Sequence, residues 1–172
     1  MFLSDVDILA AIETGDIEIT PFEPSCLQAA SYDFALGSDL LIPMSDPTPS
    51  DITRVLYHKH PLSNAGYLIY PRQFLLGETA EVLTLGDSIA AQVCGRSTIG
   101  RKGLGVHITA GWVDPGWSGR LTLELYNHGP APIRLMPGMR IGQFVFGSTL
   151  SRCQKPYAGN YQNATGVQAP RA

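Results

Sequence analysis

The sequence is short of the residues that most catalytic and binding chemistries require. Its three cysteines, Cys26, Cys94 and Cys153, are isolated from one another and odd in number. That fits reduced thiols better than a disulfide framework, and a cytoplasmic setting is the expectation. Lys and Arg number 12 against 15 Asp and Glu, a net charge of -3, so there is no broad cationic surplus for a nucleic-acid polymer, and any phosphate bound is small and local. No apolar run approaches the length of a membrane span. The amino terminus, "MFLSDVDILAAIETGDIEI", carries acids where a signal peptide would carry Lys or Arg, so neither secretion nor membrane insertion is expected.

Familiar motifs are absent too. The H-x-E and P-C-x-x-C pair with which zinc deaminases activate water does not occur, so no metal ligand set is assigned. Neither the phosphate loop G-x-x-x-x-G-K-[ST] nor the nucleophile elbow G-x-S-x-G is present. His58 and His60, in "HKH" beside Pro61, read as surface residues of a loop, and two such residues lack the further ligands a metal needs. His107 alternates with apolar neighbours in "VHIT" and reads as a satisfied, partly buried histidine. No internal repeat stands out.

What is there describes a small β protein. The 172 residues, 44% of them hydrophobic, suffice for one domain with a real core. Ser4 and Asp7 resemble a capping box, and Val6, Ile8, Leu9 and Ile12 mark one face of a short helix ending near Gly15. Beyond it, 18 Gly and 13 Pro separate short runs such as "YLIYP", "FLLGETAEVLTL", "RLTLELYN", "PIRLMP" and "IGQFVF". Many short strands joined by turns predict a mainly β fold, a distorted barrel or jelly roll. The expected organisation is one domain over 1–172. Its last stretch, 154–172, is an irregular tail that composition alone leaves as either a frayed end or a lid carrying Tyr157 and Tyr161.

Chemistry concentrates between Gly95 and Asn127, "GRSTIGRKGLGVHITAGWVDPGWSGRLTLELYN". In "GRSTIGRKG", Ser97 is placed to cap a single helical turn over about 97–102, with Arg101 on the same side four residues on, and the backbone amides of such a turn would face an anion. A solvated basic turn is the plain alternative. "WVDPGWSG" predicts a tight hairpin at Asp-Pro-Gly, with Asp114 either in an Asx contact to its own backbone or on a ligand hydroxyl. Trp117 reads as core or as a neighbour of that ligand. In "RLTLELYN" the leucines share one face of a strand, so Arg120, Thr122, Glu124 and Tyr126 share the other. Glu124 is then either a solvent-facing acid paired with Arg120 or a neighbour, or a carboxylate facing a pocket.

Taken in order, "QAASYDFALG", the Gly95–Asn127 block, "PGMRIGQFVF" and "YAGNYQNATG" resemble the dCTP deaminases, which belong to the trimeric dUTPase superfamily. The resemblance covers nearly the whole chain. It implies a dUTPase-like β fold and deamination without zinc, with Glu124 as proton shuttle for the water that attacks cytosine C4. It implies further that Ser97 and Arg101 orient that water and that Arg96, Ser97 and Thr98 contact phosphate. The backbone of Ala110 borders the base, Asp114 meets the deoxyribose 3'-hydroxyl, Trp112 is among the substrate-binding residues, and Tyr157 and Tyr161 belong to a lid. A homotrimer with sites at subunit boundaries, magnesium carried chiefly by the triphosphate, and dTTP as an inhibitor also follow.

Three places depart from the family pattern. Asn160 and Ala164 stand where a lysine and a glutamine would contact phosphate, and Ala35 stands where an arginine is usual. Gly111-Trp112 resembles the bifunctional members, which carry dUTP on to dUMP and diphosphate, a step in which Asp114 would help activate the second water. A dUTPase-like phosphohydrolase with a structural Glu124, and a catalytically weak regulatory nucleotide binder, are the alternatives.

Overall fold

A computed structural model describes residues 1–44 and 55–171. The chain opens with helix α1 (Asp5–Thr14), which starts where the sequence says it should. Ser4 Oγ accepts from the Asp7 amide at 3.3 Å while Asp7 Oδ2 accepts from the Ser4 amide at 2.9 Å, and Gly15, at φ 79°, closes the far end. Its expected apolar face is only partly used. Ile8 is fully buried and Ile12 packs against the core, but Val6 and Leu9 are exposed, because a ten-residue helix laid on the surface touches along a narrow line.

Fifteen strands follow among the described residues. They are β1 (Ile17–Thr20), β2 (Leu27–Gln28), β3 (Ser31–Ala35), β4 (Asp39–Pro43), β5 (Tyr57–Pro61), β6 (Tyr67–Ile69), β7 (Phe74–Glu78), β8 (Val82–Leu85) and β9 (Ile89–Gly95). After a one-turn helix α2 (Ser97–Gly100) come β10 (Leu104–Gly105), β11 (Trp112–Val113), β12 (Ser118–Gly119), β13 (Thr122–Asn127), β14 (Ile133–Leu135) and β15 (Arg140–Ser148). His58 and His60 therefore lie in β5 and not in a loop. They pair opposite Ile42 and Leu40 of β4, a partner that "HKHP" does not reveal.

Two five-stranded antiparallel sheets, β10-β13-β7-β4-β5 and β11-β9-β15-β3-β2, carry most of the structure, with a three-stranded sheet β1-β8-β12 and the pair β14-β6 beside them. This is the distorted β fold expected. The strands are short and alternate, so each large sheet gives one face to a shared interior. Tyr32, Phe34, Phe144 and Phe146 enter from β3 and β15, and Leu40, Leu75, Leu123 and Leu125 from β4, β7 and β13. Phe34 and Phe144 pack with ring centroids 4.5 Å apart. Burial of each such side chain is worth about 1.5–3 kcal/mol. No helix of the described residues is long and apolar enough to cross a membrane.

Candidate active site

Glu124 sits where strand alternation puts it. Leu123 and Leu125 of β13 are buried, while Thr122, Glu124 and Tyr126 face the other way. The carboxylate does not pair with Arg120, whose Nη1 donates to the Thr79 carbonyl at 2.9 Å. Instead Glu124 Oε2 accepts two backbone amides, from Ile108 at 2.6 Å and Thr109 at 3.0 Å. Those amides belong to the loop between β10 and β11, which turns back toward β13 beside the buried Gly111. There the Val93 amide donates to the Gly111 carbonyl at 2.7 Å, and a Cβ would meet His107 Cε1 at 3.1 Å and Val93 O at 3.2 Å. His107 is not the satisfied histidine expected: its buried Nδ1 has no hydrogen-bond partner among the described residues.

A cavity of about 390 Å³ opens on this face of β13, lined by Glu124, Thr122, Ala110, Trp112, Asp114, Tyr157 and Tyr161 among others. Trp112 and Asp114 reach it from β11 and the turn that follows. The hairpin expected at Asp-Pro-Gly is not formed. The turn itself is tight, with the Trp117 amide donating to the Asp114 carbonyl at 3.2 Å and Gly116 at φ 85°, a type II geometry. Its flanking strands, however, pair with different neighbours, β11 with β9 and β12 with β8, so the chain changes sheets here. Asp114 makes no Asx contact; its Oδ1 accepts from the Trp112 indole at 3.0 Å. Trp117 is buried and packs against Tyr157 with ring centroids 5.3 Å apart.

The carboxy-terminal segment is irregular, as expected, but it is seated on the cavity's rim. The Tyr157 amide donates to the Pro115 carbonyl at 2.8 Å, Asn163 to Ser118 at 2.7 Å, and Arg120 to the Ala164 carbonyl at 2.8 Å. Two glycines make the seat. A Cβ on Gly116 would meet Pro156 Cβ at 2.4 Å, and one on Gly119, at φ 142°, would meet the Ala164 nitrogen at 2.7 Å. Gln162, which the sequence reading passed over, fastens both ends of the turn: its Oε1 accepts from Ser118 at 3.2 Å and its Nε2 donates to Gly116 at 2.8 Å. Further along, the Gln168 amide donates to Thr122 Oγ1 at 3.0 Å.

Arg96, Ser97, Thr98 and Arg101 are not among the residues lining this cavity. Ser97 and Thr98 lie in α2 at the end of β9, and Arg96 and Arg101 flank it at its two cap positions. Ser97 does not cap the turn; Arg96 occupies the cap position without a side-chain cap bond, and Ser97 is the first helical residue. Its carbonyl accepts from the Arg101 amide at 2.9 Å. Arg96 is tied inward, its Nε 3.1 Å from Oδ2 of the buried Asp33, an ionic approach rather than a well-directed hydrogen bond. Asp33 was also missed, although a lone acid in the apolar run "SYDFAL" was its signal. Among the described residues no three His, Cys, Asp or Glu side chains cluster as a metal cage.

Known structures with this architecture define its class first. A mutant dUTPase from phage phi11 of S. aureus, which coordinates a structural Mg(II) ion, matches with TM-score 0.52 at 11% identity, over 81% of this chain and 94% of that one. The 2'-deoxycytidine 5'-triphosphate deaminase of Agrobacterium tumefaciens matches with TM-score 0.66 at 24% identity, over 84% of this chain, which spans 47% of that chain's length. The fold is dUTPase-like. Sequence narrows it: residues 2–149 match the dCTP deaminase-like family, and a Nocardioides sp. protein named "dCTP deaminase, dUMP-forming" is 42% identical over all of this chain and 95% of its own length. The chain belongs to the dCTP deaminase-like family.

Proposed function

We propose that this chain removes the 4-amino group of dCTP hydrolytically and carries the product on to dUMP and diphosphate. The observation that supports it most is the Glu124 carboxylate, held by two loop amides through one oxygen while facing a cavity of nucleotide size. With Oε2 engaged, Oε1 is left to meet a water. It takes a proton as the water oxygen adds to cytosine C4 and passes it to the ring nitrogen, then takes the remaining proton of the new C4 hydroxyl and passes it to the amino group, which leaves as ammonia. In this step one C–O bond forms, one C–N bond breaks and one water is consumed; in the next, the oxygen of a second water bonds the α-phosphorus as the bond from that phosphorus to the bridging oxygen breaks, and diphosphate leaves. General acid–base help of this kind contributes about 10²–10⁴-fold.

The remaining roles follow the same reading. Ala110 borders the base through its backbone, Asp114 accepts from the 3'-hydroxyl and assists the second water, and Tyr157 and Tyr161 close over the nucleotide from the seated tail. Ser97 and Arg101 orient the first water, while Arg96, Ser97 and Thr98 hold phosphate. Because these four lie off the cavity within one chain, we assign them to the site of a neighbouring copy in a homotrimer. Magnesium arrives on the triphosphate, and no step is routed through it. In this reading 1–172 is one functional unit, 154–172 its lid, and the cytoplasm its setting, on three unpaired cysteines.

Incubation with dCTP and, separately, dUTP in the presence of magnesium tests the reading by chromatography of the products. We expect ammonia and dUMP from dCTP. Untouched dCTP beside consumed dUTP would establish a phosphohydrolase instead, and binding without turnover of either a regulatory role. Glu124→Gln should lower deamination by about 10²–10⁴-fold with nucleotide affinity retained.

A further inference from the structure

Trp112 is 64% exposed, a large aromatic left open at the mouth of the cavity. Lone exposed apolar side chains are common, but this one is fastened. Residues i and i+2 of an extended segment share a side, and the Trp112 Nε1–H donates to Asp114 Oδ1 at 3.0 Å. The Asp114 backbone is fixed as well, its carbonyl accepting from Trp117 in the Pro115-Gly116 turn. An indole nitrogen only donates, so the contact occupies Oδ1 as an acceptor and restricts rotation of the carboxylate. Oδ2 is the oxygen left for a ligand.

We propose that Trp112 is the positioning residue for Asp114: its indole N–H orients the carboxylate so that Oδ2 reads the 3'-hydroxyl of the bound deoxynucleotide. This rests on the reading given above, which puts Asp114 on the sugar. An unfastened carboxylate would be ordered only on binding, at a cost to affinity, whereas a fixed one discriminates against a sugar that lacks the hydroxyl, because its acceptor would then be left unmatched.

The test compares affinities for dCTP and 2',3'-dideoxy-CTP by titration calorimetry, on the whole chain and on Trp112→Phe, which keeps a flat ring but has no N–H. The natural chain should prefer dCTP by about tenfold or more. Trp112→Phe should lose about three- to tenfold of that preference, by binding dCTP more weakly while binding the dideoxy analogue as before. Equal weakening toward both nucleotides, the mark of a mere aromatic wall, would overturn the assignment, as would an unchanged preference. A second measurement avoids the variant's behaviour. The two tryptophans give two indole N–H resonances, and that of Trp112 should shift with dCTP but not with the dideoxy analogue; equal shifts would count against the role. Since these are binding readouts, a Trp112-dependent preference without dCTP turnover would retire the proposed reaction alone, and equal losses in an active deaminase would retire the Trp112 role alone.

Discussion

Glu78 lies on β7 opposite Thr122, 3% exposed, and one of its oxygens has no hydrogen-bond partner among the described residues. Burial pushes its carboxyl above the ordinary 4.5, against the pull of the Arg120 guanidinium. The folded chain therefore holds this proton more tightly than the unfolded chain does. The resulting stability is fully present below pH 4.5 and is lost as pH rises through the raised folded value. Glu78→Gln lacks that loss. Thermal unfolding across pH should show the variant gaining on the natural protein from acid toward neutral, and parallel curves would refute the assignment. Glu81 is raised in the same direction by burial, although it accepts the Ala35 amide. None of this was visible in "GETAEV", whose acids look like ordinary surface residues. Glu124 was half visible: alternation in "RLTLELYN" lifted it off the leucine face, but its amide partners lie 15 and 16 positions away and depend on how the intervening loop folds.

At the scale of elements, capping and alternation were legible because they are local. Ser4, Asp7 and Gly15 bound α1 as written, and β13 buries its leucines. Pairing was not. Asp-Pro-Gly specified its turn but could not specify that β11 and β12 would join different sheets, since a strand's partner is chosen by the whole packing. The tail's seat was hidden for the same reason, in two glycines far from it in sequence. Gly119→Ala tests that seat. At φ 142° a side chain costs about 1–3 kcal/mol, and the added carbon meets Ala164. Hydrogen exchange of 162–168 should accelerate and nucleotide affinity fall, while exchange in β3, β9 and β15 stays slow. Protection of 162–168 equal to that in the natural chain would contradict this.

For the molecule as a whole, Glu124 lines the cavity and the α2 turn does not, and the proposed trimer brings the two together across a boundary. Chains carrying Glu124→Gln and chains carrying Arg101→Ala, each inactive alone, should complement when refolded together. With random assembly and one carboxylate and one turn per site, about a quarter of the sites receive both intact parts, and the mixture should recover deamination to that order. No recovery in mixed oligomers would place both parts in one subunit's site. The cationic run was easy to find in sequence, but its absence from the lining of the cavity beside Glu124 was not, because spacing along a chain does not say which copy a residue serves.

Apart from the Gln162 amide and the Tyr157 ring, the closing segment is held by main-chain atoms: the Tyr157 and Asn163 amides donate to the Pro115 and Ser118 carbonyls, and the Ala164 carbonyl accepts from Arg120. Attachment is thus indifferent to most of the side chains along it. Side chains such as those of Asn160 and Ala164 can therefore be exchanged with the scaffold left alone, so the rim of the cavity can change its chemistry without changing its seat.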